Sequence, residues 1–200
     1  MFLIFCSFFA PSPDTKIPSL VSGDGVKINF PNYQIYDFAL SNKTCISEFQ
    51  FAKNLPAWSG LKKQEKYFGD PEIQTIKVKT KKIDEFNFNN EENINFMKID
   101  VEGGELDCLE GGISFIKRTR LIIYFEHAYI HFANYGNYSE KLFKYFKDIK
   151  YKIISLHTEL PLLQEEFILI VNQAKRNNYR FPSETNFLAI PEEKIKKIKL

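Results

Sequence analysis

Apolar residues are distributed differently in the two halves of the chain. Residues 2–9 are nearly all apolar and read as a buried strand, after which Pro11, Pro13 and Pro18 interrupt the chain and Ser22-Gly-Asp-Gly25 makes a turn. Residues 33–40, 44–52 and 73–83 have strand character, the second as an antiparallel extension. The irregular connection over 54–71 has the length of a lid or substrate loop. An acidic, Asn-rich linker follows at 87–93. From residue 95 strands and helices alternate. The pattern predicts a strand over 95–101, then a helix from about 104 with Leu106, Leu109 and Ile113 as its apolar stripe. A strand over 121–125 comes next, then a helix over 139–146 capped by Ser139. Late strands fall at 151–156, 167–171 and 187–190. Alternation of this kind implies an α/β sheet.

The candidate chemistry gathers where the strand over 95–101 ends. Phe96, Met97, Ile99 and Val101 form a short apolar run of the kind covered on both faces of a sheet. Asp100 and Glu102 stand at its carboxyl end, where open α/β sheets place their ligand crevices. Gly103 and Gly104 allow a tight turn and close approach, and Glu105 opens a helix where a negative charge suits the dipole. Same-side residues of a strand are about 6.5–7 Å apart, so Lys98 can pair with Asp100. Glu102 and Glu105 straddle the glycines and are placed to orient a substrate hydroxyl or to offer oxygens to a cation. No histidine lies near them in sequence, and no metal is expected. Glu126 and His127 end the next strand and should face the same crevice; His127 is either a general base or a packing residue. Trp58, beside Ser59 and Gly60, either stacks on a ligand or anchors its loop in the core.

Taken with its flanks, Lys98-Ile99-Asp100-Val101-Glu102-Gly103-Gly104-Glu105, followed by Leu109, Gly111 and Gly112, resembles the FkbM family of S-adenosylmethionine-dependent methyltransferases. Ile83-Asp84 after the strand over 78–83 is similar to the family's Leu-Asp pair, and Leu121 to Glu126 to its next strand. Ala39-Leu40-Ser41-Asn42 is similar to the turn after the third strand, and Asn186 to Ile190 to the final strand. The resemblance implies a Rossmann-like class I methyltransferase sheet with flanking helices over residues 1–190. It implies S-adenosyl-L-methionine as cofactor and O-methylation of a sugar, glycan or small metabolite. Asp100, Glu102, Glu126 and His127 are then the catalytic candidates, and Glu105, Gly103, Gly104 and Trp58 the substrate-side ones. Ala39 becomes a wall beside the adenine. The family's Asp-x-Gly-x-x-x-Gly loop has no match, and Ala10 stands where a ribose-gripping glutamate precedes Pro-x-Pro, leaving Asp14 as a stand-in. The expected sheet is therefore N-terminally incomplete, beginning at the second strand. The alternative reading is a truncated or non-catalytic methyltransferase-like binding protein.

Composition narrows the partners. Two hundred residues with 44% hydrophobic and 16% aromatic content suit one domain with a full core and argue against disorder. A net charge of +2 implies neither a nucleic-acid nor a membrane partner, and sets no oligomeric state. Cys6, Cys45 and Cys108 lack metal-ligand spacing and point to a reducing, cytoplasmic compartment. The apolar start is too short to span a bilayer, which takes about 20 residues, and lacks a basic leader. Residues 191–200 read as a solvated basic tail.

Overall fold

The computed structural model describes residues 2–6, 36–55, 58–62, 70–88, 93–129, 138–176 and 184–196. The larger sheet holds β1 (Phe2–Cys6), β5 (Phe96–Asp100), β6 (Ile122–Glu126), β8 (Asn186–Pro191) and β7 (Tyr151–Ser155), in that spatial order. β1, β5 and β6 are parallel, and β8 runs antiparallel between β6 and β7. A second sheet holds β2 (Phe38–Leu40), β4 (Ile73–Lys81) and β3 (Cys45–Ala52), with β2 parallel and β3 antiparallel to β4. The fold is Rossmann-like α/β, and the antiparallel extension over 44–52 is β3.

Crossovers between parallel strands are right-handed in nearly all proteins. Because β5, β6 and β7 step across the sheet in one direction, such crossovers carry their helices to one face. These helices are α1 (Glu105–Glu110), α2 (Ile113–Thr119) and α3 (Tyr138–Asp148), joined by α4 (Gln164–Arg176) after β7. Met97, Ile99, Ile123, Phe125, Phe187 and Ala189 are fully buried on the covered face. Each such large apolar side chain contributes about 1.5–3 kcal/mol when fully buried. Phe125 meets Phe146 and Phe187 at centroid distances of 5.2 and 5.7 Å, and Phe167 meets Phe187 at 5.0 Å.

Five expectations are corrected. The strand at 95–101 is not buried evenly on both faces: Met97 and Ile99 are buried, whereas Phe96, Lys98 and Asp100 are half-buried. The stretch 167–171 lies in helix α4, not a strand. Phe167 and Val171 are buried four residues apart while Leu169 is 49% exposed, so the run has the helical and not the strand period. The helix from 104 is two short helices, because Gly111 and Gly112 are points of close approach. Ser41 packs against Gly111 and Ile83 against Gly112, and the Asp84 N–H donates to the Gly111 carbonyl. Ser139 sits inside the first turn of α3 and its hydroxyl is bonded to His127, so it is no N-cap.

The tail, finally, begins with an anchored helix, α5 (Glu192–Ile195). Arg120, left-handed at φ 50° where α2 ends, makes a two-pronged pair with Glu193 at 2.8 and 2.7 Å. It also donates to the Ile149 and Lys150 carbonyls and lies 4.6 Å from the Tyr151 ring centre. Its hydrogen bonds hold the Glu193 carboxyl down at about 2. No helix among the described residues is long and apolar enough to cross a membrane.

Asp84 and Ser41 join the two sheets. The Asp84 carboxylate accepts from the Ser114 and Phe115 N–H groups at 3.0 and 2.7 Å, satisfying the start of α2 from outside the helix. A β-carbon on Gly111 would lie 2.2 Å from the Ser41 carbonyl oxygen, so backbone would have to move. Gly111→Ala is therefore expected to cost about 1–3 kcal/mol in urea unfolding. Gly60→Ala, whose new carbon would meet nothing closer than 3.6 Å, is the control expected to stay near wild type. Equal stabilities for the two variants would contradict this packing.

Candidate functional site

Parallel pairing sets Ile99 of β5 opposite Phe125 of β6. Asp100 and Glu126, the next residue on each strand, therefore leave the sheet side by side at its carboxyl edge. Both are half-buried, on the face opposite Ile99 and Phe125. Beyond Asp100 the chain turns through Glu102 at φ 53° and Gly103 at φ 97°. For a residue with a side chain, left-handed backbone costs on the order of 1 kcal/mol. Glu102 is carried towards Asp100 and Glu126 by this turn. Carboxylate oxygens of Asp100, Glu102 and Glu126 all lie within 4.8 Å of one another.

Three carboxylates this close favour a positive group among them. Lys98 supplies one, its Nζ 2.9 Å from Asp100 Oδ2, as strand spacing suggested. The third carboxylate of this oxygen-donor set, Glu126, comes from the neighbouring strand. Hard divalent cations are bound by such oxygens.

His127 does not join this group. Strand alternation turns it the way of Phe125, onto the helix-covered face, where it is 1% exposed. Its ring stacks on Tyr138 and Phe167 at 5.8 and 5.5 Å, and Nε2 lies 3.0 Å from Ser139 Oγ. Nδ1 lies 3.9 Å from Oε2 of Glu105, itself 2% exposed. Glu105 Oε1 accepts from the Gly103 N–H at 2.9 Å. Glu105 thus acts on the turn as well as on the helix dipole. Gly103 and Gly104 are buried, and the Gly104 N–H closes the turn onto the Val101 carbonyl at 3.3 Å.

Trp58 is half-buried, with its backbone N–H donating to the Leu55 carbonyl at 2.9 Å. The neighbouring Ser59 hydroxyl accepts from Ala52 N–H at 3.0 Å, and Gly60 exchanges two backbone bonds with Gln50. A β-carbon at Gly60 would lie 3.6 Å from the Glu102 carbonyl oxygen, so this loop abuts the acidic turn. Ala39 lies half-buried in β2. Just beyond it, Asn42 donates to Glu110 and Asp107 at 2.8 and 3.3 Å. Burial, and then the Glu110 charge, raise the Asp107 carboxyl above its ordinary range. Asp14 and Ala10 lie outside the described residues.

Sequence reasoning missed two buried polar groups. Tyr138 Oη accepts from the Leu106 N–H and, at 3.4 Å, from Asp107 N–H at the start of α1. Burial, ahead of the Glu105 and Asp107 charges, pushes its hydroxyl well above the ordinary range. Glu184, before β8, accepts from Ser155 Oγ at 2.8 Å and from the Leu156 and His157 N–H groups. Neither has a local signal, since their partners lie about thirty residues away in sequence.

Parallel strands that end in an acidic cluster, with a tight turn leading into a helix, define an α/β protein with a strand-end site. Residues 9–153 match the family described as Methyltransferase FkbM domain, and the chain belongs to that family. Among curated proteins nothing matches. A solved structure, the methyltransferase FkbM from Methylobacillus flagellatus KT, is similar at 13% identity with a TM-score of 0.45. The similarity covers 94% of this chain and 36% of that one, so the chain spans about a third of that protein's length.

Lys98→Met tests the charge balance of the site. It leaves the Asp100 carboxylate, whose side chain is 17% exposed, without its cation. Thermal unfolding should show a lower midpoint than wild type, and Lys98→Arg should recover most of the loss. An unchanged midpoint for Lys98→Met would mean that the pair contributes nothing.

Proposed function

We propose that this chain is an S-adenosylmethionine-dependent methyltransferase that works at the carboxyl edge of β5 and β6. Its acceptor is a hydroxyl of a sugar, glycan or small metabolite. The observation that carries the reading is the convergence of Asp100, Glu102 and Glu126 in a chain of this family. The cofactor supplies an electrophilic methyl group on a positively charged sulfonium. A cluster of carboxylates suits a hydroxyl acceptor that must be oriented and must give up its proton.

What this chain contributes is placement and proton management. An in-line displacement is accelerated chiefly by holding the partners in reach of one another, and a hydroxyl nucleophile must also lose its proton. Asp100 and Glu126 are partly open at the strand ends and are the groups that orient and deprotonate the acceptor, with Asp100 nearest the transferred methyl. Glu102, 5% exposed, shapes the charge of the crevice from beneath. Gly103 and Gly104 allow close approach on the substrate side, and Trp58 offers a ring at the loop that abuts Glu102. Ala39 would line the adenine, and Asp14 would accept from the ribose. His127 is enclosed by Tyr138, Phe167 and Ser139 and serves the crevice from behind.

A second reading, a non-catalytic binding protein built on the same crevice, is favoured by one observation: Ala10 stands where the family's ribose-gripping glutamate falls. The two readings separate in one assay. Transfer of tritiated methyl from S-adenosylmethionine is measured against a panel of sugars and sugar alcohols. Methyl transfer by the wild type supports the enzyme, and Asp100→Asn or Glu126→Gln should cut turnover about 10²–10⁴-fold. Cofactor affinity should change far less. Wild-type turnover in both variants would remove these carboxylates from the reaction, and cofactor binding without any transfer would favour the second reading.

A further inference from the structure

We propose that Glu105, His127 and Ser139 form a buried positioning chain that fixes the Glu102 turn, and through it the arrangement of the three carboxylates. This rests on reading the acidic edge as the reacting site. The chain has two hydrogen bonds and one longer approach between them: Glu105 Oε1 accepts from Gly103 N–H at 2.9 Å, His127 Nε2 lies 3.0 Å from Ser139 Oγ, and Glu105 Oε2 faces His127 Nδ1 at 3.9 Å, beyond hydrogen-bond length. Glu105, His127 and Ser139 are 2%, 1% and 5% exposed, so no solvent competes for these contacts.

The chain ends on the amide that needs holding. Glu102 and Gly103 are consecutive left-handed residues, and such backbone persists only where its surroundings over-determine it. This turn sets the direction in which Glu102 leaves β5, and it accompanies an approach of the Asp100, Glu102 and Glu126 carboxylate oxygens to within 4.8 Å of one another. The hydrogen bond from Gly103 to Glu105 locks the second half of the turn. An apolar side chain at 105 would fill the same space and still allow α1 to start, but it would leave a buried N–H without an acceptor.

The other end of the chain is equally fixed. His127 is held in plane between the Tyr138 and Phe167 rings, with interplanar angles of 22° and 17°. Tyr138 and Ser139 are consecutive residues of α3: one accepts from the first turn of α1 and the other holds the imidazole. Packing of α3 is thereby transmitted to the turn that presents Glu102. All three residues are buried behind the turn, so each acts through Gly103 and not on the acceptor.

The test reads amide hydrogen exchange at Gly103 against Ile99, a reference amide in the centre of β5. Glu105→Ala should speed exchange at Gly103 by about 10–100-fold, the loss expected when a buried donor is left without its acceptor, with Ile99 unchanged. Glu105→Gln keeps an acceptor oxygen and should return Gly103 close to the wild-type rate. Ser139→Ala removes one hydroxyl and should give a smaller acceleration in the same direction, which serves if Glu105→Ala does not fold. In the methyl-transfer assay, Glu105→Ala should lower kcat more than it raises KM for S-adenosylmethionine, and Glu105→Gln should restore most of the loss. Equal acceleration at Gly103 and Ile99, no acceleration at Gly103, or a Gln variant as fast as the Ala variant would each overturn the positioning chain. Exchange is read on the protein alone. A wild type without methyl transfer would therefore count against the proposed function, while Gly103 would still decide this inference.

Discussion

The parallel register of β5 against β6 is the constraint on which the site depends. With Ile99 opposite Phe125, both side chains enter the helix-covered core while Asp100 and Glu126 emerge together at the carboxyl edge. A slip of one residue in β6 would reverse every assignment, carrying Glu126 into the core and Phe125 out of it. Met97, Ile99, Ile123 and Phe125 are fully buried, at about 1.5–3 kcal/mol each, so the slip is prohibitive. The same side chains that build the core thus place two of the three carboxylates.

The third carboxylate depends on the turn and on what packs around it. Glu102 sits in left-handed backbone, held from behind by Glu105 and abutted in front by Gly60 of the loop after β3. That loop is tied to β3 by Ser59 and by the pairing of Gln50 with Gly60. β3 in turn is paired along its length with β4, whose continuation delivers Asp84 to the start of α2. The second sheet is therefore a brace against the main sheet's elements, reaching Glu102, α1 through Asn42, and the start of α2.

What was legible in the sequence was what local pattern encodes. The acidic Gly-Gly motif, the strands on either side of it and the antiparallel extension all rest on runs of a few residues with a definite period. The stretch Phe167-Ile-Leu-Ile-Val171 misled because a short apolar run has no decisive period by itself, and the outward Leu169 became visible only in the fold. His127 misled for a related reason. Adjacent residues at a strand end share an edge but point to opposite faces, so Glu126 and His127 could not both enter the crevice. Ser139 carries a signature that suits an N-cap equally well, and only the distant His127 decides its partner. Tyr138 and Glu184 are long-range polar groups whose roles no local pattern announces.

The most direct test of the carboxyl edge as the cofactor and reaction site is a titration with S-adenosylhomocysteine, followed by amide chemical shifts. Binding there predicts that the largest shift changes fall at Val101, Gly103 and His127, the backbone at the ends of β5 and β6. Changes confined to the cavity lined by Ile154, Leu160, Ile190 and Ile195, with the carboxyl edge unperturbed, would contradict it.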